Sequence, residues 1–183
     1  MLDLLALQKE LLLRHIRPGG VCADFTMGNG HDTLFLSRAV GDGGKVYAFD
    51  IQPSALESTA SLLKRENAPD NVTLIHDSHH NAAQYIKEPL CAGMFNLGWL
   101  PGGDKRITTQ RMTTLPALQT AISLLAPDGA VLLAVYPGHE EGRLEGECVS
   151  SFLAEQDRRM LCCSRLQIVN SPTSPYFFLI EKK

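Results

Sequence analysis

A glycine-rich turn after a short apolar segment is the first part of the sequence that could do chemistry. Residues 21–25 are mostly apolar, and the turn at 26–30 follows them directly. Glycine lets a ligand approach the backbone closely, and the first turn of a helix presents unpaired N–H groups. An ordinary strand-to-helix turn has the same composition, so the turn alone is a weak sign of a ligand cradle. Its candidate ligand-binding residues are Asp24, Thr26, Gly28, Asn29, Gly30, Asp32 and Thr33.

Two aspartates narrow the class of ligand. Asp50 ends the next apolar segment, 20 residues after Gly30, where a carboxylate can accept both ribose hydroxyls of an adenosine. Asp50 and the nearby Gln52 are therefore candidate cofactor-binding residues. Asp24 stands before the glycines, where the pyrophosphate of a dinucleotide would meet a negative charge. The third glycine of G-x-G-x-x-G is replaced by Thr33, which disfavours a nicotinamide oxidoreductase. S-adenosylmethionine carries an ammonium and no phosphate, which suits an acid at this position. The order of an acid followed by glycines resembles the class I S-adenosylmethionine-dependent methyltransferases.

A polar cluster at residues 76–81 follows the third apolar segment. Asp77 can accept a hydrogen from the exocyclic amine of adenine, the Ser78 N–H can donate to the ring, and His79 lies beside them. The alternative is a metal site formed by the three histidines of the cluster. Neighbouring histidines diverge on a helix and no carboxylate repeat accompanies them, so we expect no bound metal.

The most specific stretch follows the fourth apolar segment, at residues 94–105. Asn96 and Trp99 have the spacing of the asparagine and the aromatic residue in the Asn-Pro-Pro-aromatic stretch of N-methyltransferases. In those enzymes the asparagine oxygen accepts hydrogens from the target amine, and the ring stacks on the substrate base. Asn96 and Trp99 are therefore candidate catalytic residues. A core position is the alternative for Trp99, although a tryptophan between Gly98 and Pro101 in a loop is less often part of a core.

Charged residues follow this stretch closely. Asp104 is a candidate catalytic acceptor for the proton that an amine must lose, or else an ordinary turn residue. Lys105, Arg106 and Arg111 form a local basic group that can contact RNA phosphates, or else the solvated start of a helix. His139, just after the fifth apolar segment, can line the same mouth as a further substrate-binding residue.

The elements that must position these residues alternate between strand and helix. Apolar runs bounded by turn residues predict strands at 21–25, 45–50, 72–76, 91–97, 130–136, 160–169 and 176–181. Helical spacing predicts helices at 2–15, 53–66, 79–87, 108–125 and 141–156, and a further helix that follows the glycine-rich turn and runs through residues 34–36 and 40. This order implies an α/β fold whose mostly parallel sheet has helices on both faces. The last two strands are too close in sequence for a crossover, so that end of the sheet should be antiparallel. We expect one domain, residues 1–183, with an amphipathic N-terminal helix.

Four motifs together resemble the YtqB-like family of rRNA methylases over nearly the whole chain. They are D-x-T-x-G-x-G-x-D-T, the aspartate of the second strand, S-H-x-N and F-N-L-G-W-L-P-G-G-D-K. Members of this family are associated with tRNA modification, as MnmM-type enzymes that methylate the 5-aminomethyl group of 5-aminomethyl-2-thiouridine at the wobble position. The resemblance implies a Rossmann-like class I fold, S-adenosyl-L-methionine as cofactor and the anticodon region of tRNA as partner. Tyrosine is also common where this chain has Trp99, and both rings stack.

Two other functions remain open at this point. One is methylation of rRNA or of a small-molecule amine by the same fold. The other is a non-catalytic S-adenosylmethionine-binding partner of RNA, which the intact block at 96–105 disfavours. We also expect a homodimer, partly from the resemblance and partly because the first helix carries more leucine than one sheet face requires.

Composition excludes several classes of protein. The chain has 183 residues, 44% of them hydrophobic and 20% charged, which excludes intrinsic disorder, collagen and a long coiled coil. A net charge of -3 argues against a protein that coats duplex nucleic acid. No run reaches the roughly 18 apolar residues of a membrane span, so we expect no membrane partner. The five cysteines contain no C-x-x-C pair, which favours reduced thiols in a cytoplasmic protein.

Overall fold

A computed structural model describes residues 4–183 of the chain. The predicted N-terminal helix is present from Leu4 onwards, and its first two predicted residues lie outside the described part. The elements in chain order are α1 (Leu4–Leu13), β1 (Val21–Asp24), α2 (His31–Val40), β2 (Lys45–Asp50), α3 (Pro53–Arg65), β3 (Val72–His76), a 3₁₀ turn (His79–Asn81), α4 (Ala82–Tyr85), β4 (Leu90–Asn96), α5 (Arg111–Leu124), β5 (Leu125–Val135), α6 (Glu140–Ala154), β6 (Leu161–Leu166) and β7 (Tyr176–Lys182).

The seven strands form one sheet in the order β3-β2-β1-β4-β5-β7-β6. β1 pairs in parallel with both β2 and β4. β2 and β3 lie on one side of β1 and β4 lies on the other, so the strand order reverses between β1 and β4. β7 pairs antiparallel with β5 and with β6, which confirms the predicted antiparallel end. β7 occupies the inner position because its first five residues are buried, whereas the more exposed β6 takes the edge.

Helices cover both faces of this sheet, as the alternating order of elements predicts. On one face Leu12 of α1 and Leu36 of α2 belong to the same buried cluster as Leu132 of β5. On the other face, Leu118 of α5 and Leu153 of α6 belong to a second buried cluster, together with strand side chains that point to that face. Helices that follow β1 and β4 therefore lie on opposite faces, and a crevice opens between the ends of these two strands.

Three stacked phenylalanines lie beneath this crevice. The ring centroids of Phe25 and Phe95 are 4.3 Å apart, and those of Phe25 and Phe49 are 5.9 Å apart, with the planes nearly parallel in both pairs. Each of the three side chains is at most 1% exposed. Stacked aromatic rings add attraction beyond their buried area, so they provide a firm floor for whatever the crevice holds.

Three of the elements whose boundaries differ from the prediction do so for identifiable reasons. The helix predicted from residue 108 begins at Arg111, because Thr108 instead forms an antiparallel bridge with Trp99. β5 begins at Leu125, five residues before the prediction, and continues across Asp128, whose φ of 62° is left-handed. The helix predicted at 79–87 is a 3₁₀ turn followed by the single turn of α4.

The described cysteines are free thiols, and Cys22 and Cys91 are buried on the neighbouring strands β1 and β4 with their Sγ atoms 3.3 Å apart. Among residues 4–183, no helix is both long enough and apolar enough to cross a membrane.

Candidate active site

A cavity of about 1220 Å³ lies at the carboxyl ends of the parallel strands, in the crevice between β1 and β4. Ligands of open α/β sheets bind at this place because the helices diverge there. The predicted site residues that line the cavity are Thr26, Gly28, Asn29, Asp32, Asp50, Gln52, Asp77, Ser78, His79, Asn96, Trp99, Arg106 and His139. The predicted residues that are not part of its lining are Asp24, Gly30, Thr33, Asp104, Lys105 and Arg111.

Asp24 supports the glycine-rich turn from beneath, and its side chain is 1% exposed. Its Oδ1 accepts the Thr26 N–H at 3.1 Å, and its Oδ2 accepts the Thr33 hydroxyl at 2.7 Å. Burial, and after it the charge of Asp32, raise the pKa of Asp24 to about 7. Asp24 and Thr33 thus shape the turn. This placement differs from the expectation that Asp24 faces a ligand, because two donors and the turn itself close off its carboxylate.

Gly28 and Gly30 give the turn its shape. Both have a positive φ, of 50° and 84° respectively, which side-chain-bearing residues rarely adopt. A Cβ on Gly30 would lie 2.8 Å from the side chain of Thr59, so this glycine allows α2 and α3 to approach. Asn29 projects towards the segment after β4, where its amide donates to the Pro101 carbonyl at 3.3 Å. The turn therefore joins the two sides of the crevice.

Asp50 ends β2 at the rim of the cavity. Its Oδ2 accepts the Gly28 N–H at 3.1 Å, and its Oδ1 accepts the Gln52 N–H at 2.9 Å. Burial raises the pKa of Asp50, and the two backbone donors oppose this shift by favouring the carboxylate. Each oxygen keeps a further lone pair, so Asp50 can accept two hydroxyl donors from a ligand such as a ribose.

Asp77 and His79 lie beside Asp50 at the ends of the neighbouring elements. Asp77 accepts from Asn81, Tyr85 and the Ser78 N–H, and the first two of these bonds lower its pKa most. His79 is 8% exposed, and burial lowers its pKa to about 4.

The neutral ring of His79 has a defined polarity. Its Nδ1 lies 3.0 Å from the Phe25 carbonyl, so Nδ1 carries the hydrogen and Nε2 is an acceptor. Nε2 is buried and has no hydrogen-bond partner within the protein. An unpaired acceptor on the wall of a cavity suits an N–H donor from a ligand.

The histidines of this cluster form hydrogen bonds with different partners. His76 bonds the Ile51 carbonyl at 3.0 Å, and His80 bonds the Ser78 hydroxyl at 2.7 Å. In the described part of the chain, no group of three or more histidine, cysteine, aspartate or glutamate side chains is placed to hold a metal ion.

Asn96 ends β4 in the centre of the cavity, where its carboxamide is held from two sides. Its Nδ2 donates to Asp32 Oδ2, and its Oδ1 faces the hydroxyl of Tyr136 at 3.4 Å. Asp32 in turn pairs with Lys9 of α1, whose Nζ lies 2.9 Å from Asp32 Oδ1. These contacts orient the amide so that its oxygen remains available to accept a hydrogen from a ligand.

The segment after β4 is held in place by a short ladder of hydrogen bonds. The Thr109 N–H donates to the Gly98 carbonyl at 2.9 Å, and the Gly98 N–H donates to the Thr109 hydroxyl at 2.8 Å. The Thr109 hydroxyl donates to Glu145 at 2.8 Å, and Thr114 donates to the same carboxylate at 2.6 Å. Glu145 is fully buried on α6, and burial raises its pKa. The loop that carries Trp99 is thus anchored to the helical layer.

Trp99 lies at the mouth of the cavity and is outside both buried clusters, in contrast to the alternative of a core position. Its ring centroid is 4.8 Å from that of His139, with the planes tilted by 48°. Lys105 Nζ lies 5.4 Å from the same ring. The Nδ1 of His139 accepts the Gly142 N–H at 3.1 Å and so caps α6. Aromatic surface and positive charge therefore meet at the mouth.

The predicted basic group is partly neutralised. Arg106 pairs with Asp104 at 2.7 Å, and this guanidinium lowers the pKa of the Asp104 carboxyl. Arg111 pairs with Glu141 at 3.4 Å. Asp104 is exposed and directed at Arg106 rather than at the cavity, so its carboxylate is a weak proton acceptor in this position.

The stretch from Tyr136 to His139, at the carboxyl end of β5, was expected from the sequence to line the mouth, and both residues line the cavity. Sequence reasoning did not identify Lys9 as a site residue, nor Thr109 and Glu145 as supports of the site. Lys9 had a visible signal, since it interrupts a leucine-rich segment. Glu145 gave no signal, because a glutamate in the middle of a helix is usually solvated.

The chain is similar to several known proteins. A curated tRNA (mnm(5)s(2)U34)-methyltransferase, chloroplastic, from Arabidopsis thaliana is 39% identical in an alignment of 178 residues that covers 92% of this chain. The chain spans 65% of the length of that relative.

Two crystal structures match the fold along the whole chain. That of a "putative rRNA-methylase" from Clostridium thermocellum is 38% identical with a TM-score of 0.96, and the match covers 100% of this chain and 99% of the other. That of a "putative methyltransferase" from Streptococcus mutans in complex with SAH is 35% identical with a TM-score of 0.91, again over 100% and 99%. Both likenesses place the chain among class I methyltransferase folds.

The family model described as "Putative rRNA methylase" matches residues 46–182, about three quarters of the chain. This range includes Asp50, Asp77, Asn96 and Trp99, the residues that surround the cavity from β2 to the mouth. The chain therefore belongs to this rRNA methylase family.

Proposed function

We propose that the protein is an S-adenosyl-L-methionine-dependent N-methyltransferase that acts on the 5-aminomethyl group of 5-aminomethyl-2-thiouridine at the tRNA wobble position. One observation carries the proposal: a single cavity joins the acceptors Asp50 and Asp77 to Asn96 and Trp99. A nucleoside cofactor at one end and a base at the other would meet at Asn96. The name of the Arabidopsis relative and the SAH in the Streptococcus mutans structure support this assignment.

The residues at the first end fit S-adenosylmethionine. Asp50 offers two acceptor oxygens for the ribose hydroxyls, and the unpaired Nε2 of His79, with Asp77 beside it, offers an acceptor for the exocyclic amine of the adenine. The glycine-rich turn supplies a wall with little side-chain bulk at Gly28. When bound, this cofactor supplies a methyl group activated by a positively charged sulfur.

Asn96 would orient the amine. Its oxygen accepts one amine hydrogen, which directs the nitrogen lone pair away from Asn96 and into the cavity. The carboxamide cannot easily rotate, because Asp32 and Tyr136 hold its two ends. Alignment of this kind can supply much of the rate enhancement, since it replaces a search among orientations.

The amine must also lose a proton. Asp104 was the candidate acceptor from the sequence, and its exposed ion pair with Arg106 gives it a lowered pKa and no position in the cavity lining. We therefore assign proton acceptance to water at the open mouth in place of Asp104.

The residues at the mouth support binding of the tRNA anticodon region. Trp99 offers a ring on which a flipped base can stack, and Lys105 brings a positive charge to the same ring. Arg106 and Arg111 stand nearby, and each would exchange its carboxylate partner for an RNA phosphate. His139 would contact the base beside Trp99.

We further propose a cytoplasmic homodimer in which residues 1–183 act as one domain. Exposed apolar side chains on α1 and near the β6 edge, including Leu13 at 46% and Met160 at 57% exposure, support a self-complementary contact. Light scattering at micromolar concentration should give twice the mass of one chain, and a monomer would contradict this. The name of the Arabidopsis relative places that protein in the chloroplast, so localisation of a tagged chain is the direct test.

The proposed reaction is tested by nucleoside mass spectrometry. tRNA from cells that lack the protein should accumulate 5-aminomethyl-2-thiouridine and lose its methylated form. Purified protein with S-adenosylmethionine should restore the methyl group on this tRNA. Transfer to rRNA or to metabolite amines instead would favour the alternative substrates, and binding without transfer would indicate a non-catalytic RNA partner.

A further inference from the structure

Lys9, which lies outside the family motifs, forms an ion pair inside the cavity with Asp32 of the glycine-rich motif. Lys9 Nζ lies 2.9 Å from Asp32 Oδ1, and the side chains are 35% and 19% exposed. Lys9 Nζ also lies 5.2 Å from the ring centroid of Phe35, which holds the ammonium on the inner side of α1. The pair is thus shielded from solvent more than a surface pair, and its charges are screened less.

Only the carboxamide of Asn96 separates Asp32 from the position proposed for the substrate amine. Its Oδ2 accepts from Asn96 Nδ2, and the proposed function places the amine at Asn96 Oδ1, on the other arm of the same group. A negative charge this close favours the protonated amine, which has no lone pair for attack. Asp32 alone would therefore oppose the reaction that Asn96 is placed to assist.

Two further basic side chains line the cavity: Arg106, which is paired with Asp104, and His31, which precedes Asp32 in the chain. The ionisable groups at the ends of the strands do not offset the charge of Asp32. Burial raises the pKa of Tyr136, which is therefore neutral, and burial keeps His79 neutral as well. Asp24 and Asp50, from β1 and β2, are carboxyl groups and supply no positive charge, and burial raises the pKa of both. The Nδ1 of His139 accepts the Gly142 N–H. Lys9 of α1 is the cation paired with Asp32 among the described residues.

We infer that Lys9 is a positioning residue that neutralises Asp32, so that Asp32 can orient Asn96 without holding the substrate amine in its protonated form. This inference rests on the proposed amine substrate. The carboxylate supplies the hydrogen bond that fixes the carboxamide, and the ammonium cancels the accompanying field. The amine then releases its proton to solvent on binding, before methyl transfer.

The number of protons released when the RNA binds tests the inference without any methyl transfer. The probe is an anticodon stem-loop RNA that carries 5-aminomethyl-2-thiouridine, titrated into the full chain saturated with S-adenosylhomocysteine. Calorimetry in buffers of different ionisation enthalpy counts the protons released. Wild type should release about one proton more with this RNA than with the same RNA carrying uridine. Lys9→Met should release less than half of that, and Lys9→Arg should match wild type.

Matched variants distinguish an effect of the Lys9 charge from a general effect of losing an ion pair. Lys45→Met removes a comparable pair with Glu88, 3.0 Å long and outside the cavity, and should leave proton release unchanged. The double variant Lys9→Met with Asp32→Asn should recover wild-type release, because charge and counter-charge leave together. In single-turnover pH profiles, the acidic limb should move up by about one pH unit in Lys9→Met and down in Asp32→Asn.

Three outcomes overturn the inference. They are wild-type proton release by Lys9→Met, a loss of S-adenosylhomocysteine affinity in Lys9→Met with proton release intact, and pH profiles that move in the same direction in both single variants. The second outcome would make Lys9 a cofactor ligand. Failure of wild type to methylate the aminomethyl RNA refutes the proposed function instead, and that result is read in a separate assay.

Discussion

The hydroxyl of Thr109 connects the loop that carries Trp99 to the buried carboxylate of Glu145, across 2.8 Å. The same hydroxyl accepts the Gly98 N–H, so one oxygen ties the backbone of the loop to α6. Trp99 is therefore placed by a bond network that lies behind the cavity wall.

Replacing Thr109 by valine keeps the shape of the side chain and removes both bonds. We expect the free energy of unfolding to fall by about 1–3 kcal/mol, because the Gly98 N–H and Glu145 lose a partner. RNA affinity should fall while S-adenosylmethionine affinity is retained. Urea denaturation and calorimetry measure these quantities. Thr73→Val, at an exposed position of β3, is the control and should leave all three unchanged.

Asp50→Ala should weaken S-adenosylmethionine binding by about 1.5–3 kcal/mol, the range for hydrogen bonds to a charged group. Asp70→Ala, which removes an exposed carboxylate outside the cavity, should bind as wild type does. Calorimetric titration measures both affinities. Unchanged affinity in a folded Asp50→Ala variant would remove Asp50 from the cofactor site.

Asn96→Ala should slow methyl transfer by about a hundredfold, because one aligned hydrogen bond to the reacting amine is lost. S-adenosylmethionine affinity should stay nearly the same. Single-turnover rates with cofactor and RNA both saturating give the comparison, with the exposed Asn170→Ala as control. A wild-type rate in Asn96→Ala would refute the amine-orienting role.

Trp99→Ala should weaken RNA binding by about 1–3 kcal/mol through loss of a stacking surface, and Trp99→Phe should recover most of the affinity. Trp99 is the single tryptophan of the chain, so RNA binding should also quench the fluorescence of the wild type. A loss of thermal stability in Trp99→Ala with normal RNA affinity would instead show a packing role.

The stability of the fold should depend on pH through Asp24. Its pKa is raised to about 7 by burial, above the 3.8 of an unperturbed aspartate, so the folded state binds the proton more tightly. The stabilising contribution is complete below pH 3.8 and is lost as the pH rises through about 7. Between pH 5 and pH 8, wild type should lose about 2 kcal/mol relative to Asp24→Asn. Urea denaturation at several pH values checks this, and parallel curves would contradict it.

Local sequence determined much of the fold, because its signals act over short distances. Apolar runs and turn residues predicted all seven strands, and the brevity of the segment between the last two predicted their antiparallel pairing. The boundaries that differed depend on distant partners. Thr108 leaves the helix to pair with Trp99, and Leu125 joins β5 because it lies opposite Leu90.

The candidate site likewise contains residues that the sequence predicted and residues whose positions depend on tertiary contacts. Asp50, Asp77 and Asn96 were identifiable from the sequence, because each follows a strand and the carboxyl ends of parallel strands meet at one edge. The tertiary structure alone decided that Asp24 is enclosed, that Asp104 turns to Arg106, and that Lys9 reaches Asp32 from a helix outside the glycine-rich motif. Those outcomes depend on burial and on contacts between residues far apart in the chain, and residue types and spacing do not encode which charges will meet.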